Sequence, residues 1–334
     1  MVSETTPTGG PASTLGSLES LPTVLVHGAT LAYRQQGDGE PVVLVHGSAS
    51  DLRTWGRQLP AMSESHRVIA YSRRYARPNA DIPPGVDDQM TAHVDDLVGF
   101  LRTIDGAPAH LVGHSWGAFI CLLTAIRHPR VTRSLVLQEP PVLSLFTSTP
   151  PRPREVLPLI VRRPRTALAI LEFGARTIAP AQRAFRRGDD DAALETFAHG
   201  VLGKDTYERL PDERRQQARE NLNTLRAQLL GAGFPPLSED DVRGVRVPTL
   251  LMTGDRSPAF LLRLTERLEA LLPNAERIEI VDASHAMQEE KPSAVNAAIL
   301  GFLARHASQT GVPTGMSGAA AGPQSDERVR NLFP

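Results

Sequence analysis

An α/β sandwich built on a mostly parallel sheet is what this 334-residue sequence predicts, and three observations carry that expectation. Short apolar runs rich in β-branched residues recur along the chain, such as Val42–Val45 and Ser134–Leu137. Most of them lack alternating polar residues, which is the pattern of strands covered on both faces. Stretches of helical periodicity separate them, and strand, helix and strand at this spacing mean right-handed crossovers between parallel neighbours.

Thr23–Val26 and Ala29–Arg34 read as the first two strands, and the turn-rich QQGDGEP leads to the third at Val42–Val45. Asp51–Met62 then reads as a helix. Further strands are expected at Val68–Tyr71, His110–Val112, Ser134–Leu137, Thr249–Met252 and Arg277–Val281. Ala92–Ile104, Ala118–Arg127, Ala259–Leu272 and Ser293–Arg305 carry helical periodicity. The rhythm breaks between about Pro140 and Val245, where no convincing strand occurs. LETFAHGVLG and ERRQQARENLNTLRAQLL are the clearest helices there, so the stretch reads as a helical insertion between the sixth and seventh strands. Within it, residues 151–187 hold nine Arg against two Glu. A solvated helical face accounts for that excess, and a basic lid for acidic substrates is the sharper alternative.

Lys and Arg total 36 against 37 Asp and Glu, which leaves no global attraction to nucleic acid or an anionic membrane. The expected partner is a small molecule. The single Cys121 excludes an internal disulfide and a thiolate-rich metal site and reads as a small buried apolar residue. Paired-His metal spacing and a phosphate-cradling loop are also missing, so neither cofactor nor metal is expected. The start of the chain lacks a basic, apolar leader and no stretch reaches the ~18 apolar residues of a membrane span, so the expected compartment is the cytoplasm. Residues 1–20 and 307–334 are poor in apolar periodicity and read as disordered tails.

The strongest chemical signal is Gly113-His114-Ser115-Trp116-Gly117, set between the strand HLV and the helix AFICLLTAIRH. A G-x-S-x-G pentapeptide at a strand-to-helix turn lifts its serine to the sheet rim at a helix N-terminus. Ser115 is therefore the expected nucleophile, against the plainer reading of a helix cap. In this motif and in the order of its elements, residues 21–306 resemble the α/β-hydrolase superfamily. The resemblance implies an α/β-hydrolase fold: an eight-stranded, mostly parallel sheet with helices on both faces and its second strand antiparallel. It implies a core of residues 21–139 and 246–306, and a helical cap at 140–245, inserted after strand six.

A serine hydroxyl needs a base, and the base follows the last strand in the order Ser, acid, His. His285, in RIEIVDASHAMQEEKP, fits, and the other histidines fit worse. The orienting carboxylate has two candidates at the same sheet edge. Asp255, after TLLMTG, holds the position most members use and is the expected acid; Glu139, in VLQEPP, is the alternative, as in zearalenone lactonases. Each also has a structural reading, as a turn residue and as a salt-bridge anchor for the cap. Oxyanion donors are expected from the N–H groups of Trp116 and Ser48, because His46-Gly47 leads into a helix whereas His27-Gly28 leads into a strand. Gly47 permits close backbone approach, Trp55 lines the cleft or packs in the core, and Arg73 or Arg74 clamps a substrate carboxylate or makes ordinary salt bridges. The expected activity is hydrolysis of an ester or lactone through an acyl-enzyme. A serine stands where the superfamily's dehalogenases and epoxide hydrolases hold an aspartate, which argues against an alkyl-enzyme. Perhydrolysis or C–C bond hydrolysis with the same triad, and a ligand receptor on the same fold, are the alternatives.

Overall fold

A computed structural model describes residues 18–148 and 151–307. The tails expected to be disordered lie outside the described residues except for Leu18–Ser20 and Ala307; Leu18–Ser20 forms a 3₁₀ turn, and Leu18 packs on the core. Eight strands make one sheet: β1 Thr23–Val26, β2 Ala29–Gln36, β3 Pro41–Val45, β4 Arg67–Tyr71, β5 Ala109–His114, β6 Thr132–Gln138, β7 Thr249–Gly254 and β8 Ala275–Ile280. Their spatial order is β1-β2-β4-β3-β5-β6-β7-β8. β2 runs antiparallel to β1 and β4, and every other pairing is parallel.

The unbroken apolar runs have the cause the sequence suggested. On β3, Val43 and Val45 belong to a core with Leu97 and Phe119, while Val42 and Leu44 pack with Met62 and Phe302 on the opposite face. All four valine and leucine side chains are fully buried, each worth roughly 1.5–3 kcal/mol. The covering helices are α1 Leu59–Met62, α2 Met90–Thr103, α3 Trp116–Arg127 and, late in the chain, α12 Ala259–Glu269, α13 Met287–Glu290 and α14 Pro292–Arg305. Between β6 and β7 come α4 Pro153–Arg162, α5 Pro164–Phe173, α6 Ala179–Arg186, α7 Asp190–Leu202, α8 Lys204–Glu208, α9 Asp212–Glu220, α10 Leu222–Leu230 and α11 Glu239–Arg243, with a π-helical turn at Gly174–Ile178. The described residues of this insertion contain no strand.

Two expected helices are broken. Asp51–Met62 gives only a 3₁₀ turn at Leu52–Trp55 and the short α1. A continuous helix would need an N–H from Pro60 to the carbonyl of Gly56, which proline lacks. The stretch ERRQQARENLNTLRAQLL splits at Asn221, whose φ of −110° and ψ of 20° leave the helical region. Its amide is spent on tertiary bonds: Nδ2 donates to Asp51 Oδ2 and to Gln217 O, both at 2.8 Å, and Oδ1 accepts from Arg77 N–H at 2.8 Å. All nine arginines of residues 151–187 are exposed. None of the described helices is long and apolar enough to cross a membrane, and the described residues contain no cluster of His, Cys, Asp and Glu fit to hold a metal ion.

Candidate active site

β5 ends at His114 and α3 starts at Trp116, so Ser115 makes the whole turn. Its φ is +52° and its ψ −121°, a backbone state that costs a non-glycine residue about 1–3 kcal/mol. The sheet holds it there: Ser115 N–H donates to Gln138 O at 2.8 Å, and Ser115 O accepts from Phe119 N–H at 3.2 Å. The flanking glycines are demanded by close approach. A Cβ on Gly117 would stand 2.2 Å from Val45 O, and one on Gly113 2.5 Å from Ala118 Cα.

His285 lies in the loop after β8, 3% exposed, and its Nδ1 is 2.6 Å from Glu139 Oε2. Glu139 is fully buried just beyond β6, and its other oxygen accepts from Gly254 N–H at 3.0 Å. A carboxylate oxygen accepts, so the hydrogen of this bond lies on Nδ1 and the other ring nitrogen, Nε2, is left for other partners. Asp255, the acid expected from the sequence, is elsewhere. It is exposed and accepts from Ala283 N–H at 3.2 Å, and the backbone N–H groups of Asp282 and Ala283 hold its carboxyl below the ordinary range. The reason is a turn: Glu139 has φ +46°, which redirects the chain as it leaves β6, while Gly254 gives its N–H to Glu139 and Asp255 follows outward.

His114 contributes something its sequence context did not disclose. Its Nε2 donates to the carbonyl of His285 at 2.8 Å, with the ring centroids 4.6 Å apart. Burial, with the neighbouring His285, pushes its pKa well below the ordinary imidazole value, so it is a neutral tether for the loop that carries His285.

The loop after β3 is braced from behind. Arg73, buried, donates from Nε to His46 O at 3.0 Å and from Nη2 to Gly47 O at 2.8 Å, and its guanidinium lies 4.6 Å from the Trp116 ring centroid. Its own N–H donates to His46 Nε2 at 2.9 Å. Burial and the charge of Arg73 hold His46 well below the ordinary imidazole pKa, so its Nε2 stays an acceptor. In a trans peptide the C=O and N–H point in opposite directions. Pinning Gly47 O on Arg73 therefore turns the Ser48 N–H away from Arg73. Gly47 is closely packed: a Cβ there would lie 3.0 Å from His114 Nδ1 and 3.1 Å from Ser115 Cβ, so these neighbours would have to give way.

Three substrate-binding expectations are thus corrected. Arg73 is occupied by backbone carbonyls. Arg74 is paired with Asp96, at 2.7 Å from Nε and 2.6 Å from Nη2. Trp55 is fully buried in the core beside Leu59 and Met62. What does come together is Ser48, Ser115, Trp116 and His285, all on one cavity of about 430 Å³. Its remaining wall is mostly apolar and includes Phe173, Ile178 and Leu225 of the insertion, with Phe260 and Leu261 of α12. Of the nine arginines of residues 151–187, only Arg186 lines it. A more open groove of about 870 Å³ bears Arg53, Arg214 and Glu289 and none of these four residues.

A strained serine at a strand-to-helix turn and an imidazole on a buried carboxylate, facing one cavity beneath helices inserted after β6, define a hydrolase class. The chain belongs to the alpha/beta hydrolase family, whose model matches residues 42–298. It is similar to bifunctional epoxide hydrolase 2 of Sus scrofa, 24% identical over 302 residues that make up 83% of this chain and 53% of that protein, so the chain spans about half the length of that relative. Epoxide hydrolase A of Mycobacterium tuberculosis is 29% identical over 311 residues, 79% of this chain and 92% of that one. A thermophilic esterase from Thermogutta terrifontis shares the fold, with a TM-score of 0.68, 21% identity and coverage of 86% of this chain and all of the other.

Proposed function

We propose that this hydrolase cleaves a carboxylic ester or lactone through an acyl-enzyme on Ser115. The observation that carries the reading is the shared cavity of Ser115 and His285, with His285 Nδ1 bonded to a carboxylate that water cannot reach. Ser115 Oγ attacks the carbonyl carbon while His285 Nε2 takes its proton. Glu139 keeps the ring in the required tautomer and stabilises the imidazolium, without taking the proton itself. The N–H groups of Ser48 and Trp116 receive the developing oxyanion. His285 then returns the proton to the leaving oxygen, and water, deprotonated by the same ring, releases the acid. The insertion acts as the cap, and its apolar wall suits an apolar, medium-sized substrate of a cytoplasmic enzyme.

Both curated relatives described above are named as epoxide hydrolases, but the elbow of this chain offers a hydroxyl, which suits acyl transfer. The test is labelling with a fluorophosphonate together with turnover of p-nitrophenyl butyrate. The expected result is one adduct on Ser115 and loss of both adduct and turnover in Ser115→Ala. An unlabelled, inactive wild type, or a Ser115→Ala variant with full turnover, overturns the reading.

A further inference from the structure

We propose that the wall of this cavity formed by Asp88, Gln182 and Gln228 is a subsite for a hydrogen-bond donor, so that the substrate carries a hydroxyl or an N–H at that end. The proposal rests on the reading of this cavity as the substrate site. Asp88 lines the cavity and is 5% exposed. One of its oxygens is 2.6 Å from His93 Nε2, and the other accepts from Gln228 Nε2 at 2.7 Å. A carboxylate has room for about four donors. Burial opposes its ionisation, but the charge and hydrogen bond of His93, with Arg73 beyond, hold the carboxyl below the ordinary range. It is an anion near neutral pH.

Asp88 also dictates how Gln228 lies. The amide N–H₂ must face the carboxylate, because the reverse orientation would set two acceptors together. Gln228 Oε1 is then turned away, buried and without a partner among the described residues. An unpaired buried acceptor costs free energy that a bound donor gives back. Gln182, from α6, spends Nε2 on Leu229 O at 2.6 Å and so directs its own carbonyl elsewhere. All three residues line the cavity, from three separate parts of the chain, and each spends its protein contacts so that oxygen is what remains. Arg186 also lines the cavity, with its side chain exposed to solvent, while Arg73 and Arg74 are held as described.

Three probes that the enzyme cannot hydrolyse test this by calorimetry on the whole chain at pH 7.5: 4-butylphenol, 4-butylanisole and 4-butylbenzylamine. The phenol is expected to bind at least about 10-fold more tightly than the anisole, the order of the penalty relieved when a buried unpaired acceptor such as Gln228 Oε1 gains a donor. Asp88→Asn is expected to weaken the benzylamine at least about 10-fold. Gln228→Leu is expected to cut the preference for phenol to below about 3-fold while anisole binding is kept. It also serves where circular dichroism shows that Asp88→Asn does not fold. Equal binding of phenol and anisole, no binding of any probe at millimolar concentration, or the wild-type order surviving in every folded variant overturns the proposal. Because turnover is not read, a failure of the fluorophosphonate test leaves this measurement standing.

Discussion

At the scale of single residues, the site turns on which carboxylate meets one imidazole. Glu139 and Asp255 directly follow adjacent strands, and both stand at the rim of the sheet. Only Glu139 reaches His285, and it does so fully buried, where a carboxylate–imidazole bond is little screened by water. Glu139→Gln is expected to lower kcat for p-nitrophenyl butyrate about 10⁴-fold, the order seen when an orienting carboxylate is lost and the ring takes the wrong tautomer. Asp255→Asn weakens only the bonds that loop N–H groups donate to an exposed carboxylate, so kcat within about 3-fold of wild type is expected. Steady-state kinetics of the two variants decide the matter, and the opposite ranking would return the role to Asp255. The sequence held both candidates but could not choose. The choice depends on a positive φ at Glu139 and on the path of the His285 loop, neither of which is encoded in strand spacing.

At the scale of elements, one buried carboxylate gathers several of the bonds that fasten the insertion to the core. Asp51 accepts from Arg53 N–H, Nε and Nη2, from Gln217 Nε2 and from Asn221 Nδ2. Arg53 passes the connection on to Glu220. These donors join the loop after β3 to α9 and to the break before α10, which is why a helix continuous in its sequence pattern is interrupted at Asn221. Asn221→Ala would take a donor from a buried anion and leave Arg77 N–H without its acceptor. A loss of about 2–4 kcal/mol is expected from these two effects, read as a lower urea midpoint with an unchanged m-value. A midpoint within error of wild type would show that Asp51 does not contribute to the fastening. The sequence pattern located both helices here and missed their joint, because the joint is made by partners up to 170 residues away.

At the scale of the whole molecule, histidines closed away from water set how stability follows pH. His46 and His114 both have pKa values pushed well below 6.5, by burial first and then by the nearby Arg73 and His285 respectively. In the unfolded chain they return to about 6.5. Below that pH the unfolded state binds protons that the folded state refuses, so stability is fully present above about pH 7 and falls as the pH drops. Each group contributes up to about 1.4 kcal/mol per pH unit through that window. The urea midpoint should therefore be flat from pH 8 to 7 and decline between pH 6.5 and 5, with a shallower decline in His114→Asn. A midpoint constant down to pH 5 would contradict the neutral, buried assignment of both rings.

The sequence by itself determined the sheet, its strand order of appearance, the place of the insertion and the serine elbow. Those features follow from local periodicity, and from a turn so tight that glycines must flank the serine. The tertiary structure alone decided which carboxylate meets His285, the brace on the Ser48 loop and the burial of Trp55, together with the sequestering of Arg73 and Arg74. Each of those depends on which groups, distant in the chain, satisfy one another's charges and hydrogen bonds once water is excluded. A linear pattern records which groups are available, and packing settles which of them pair.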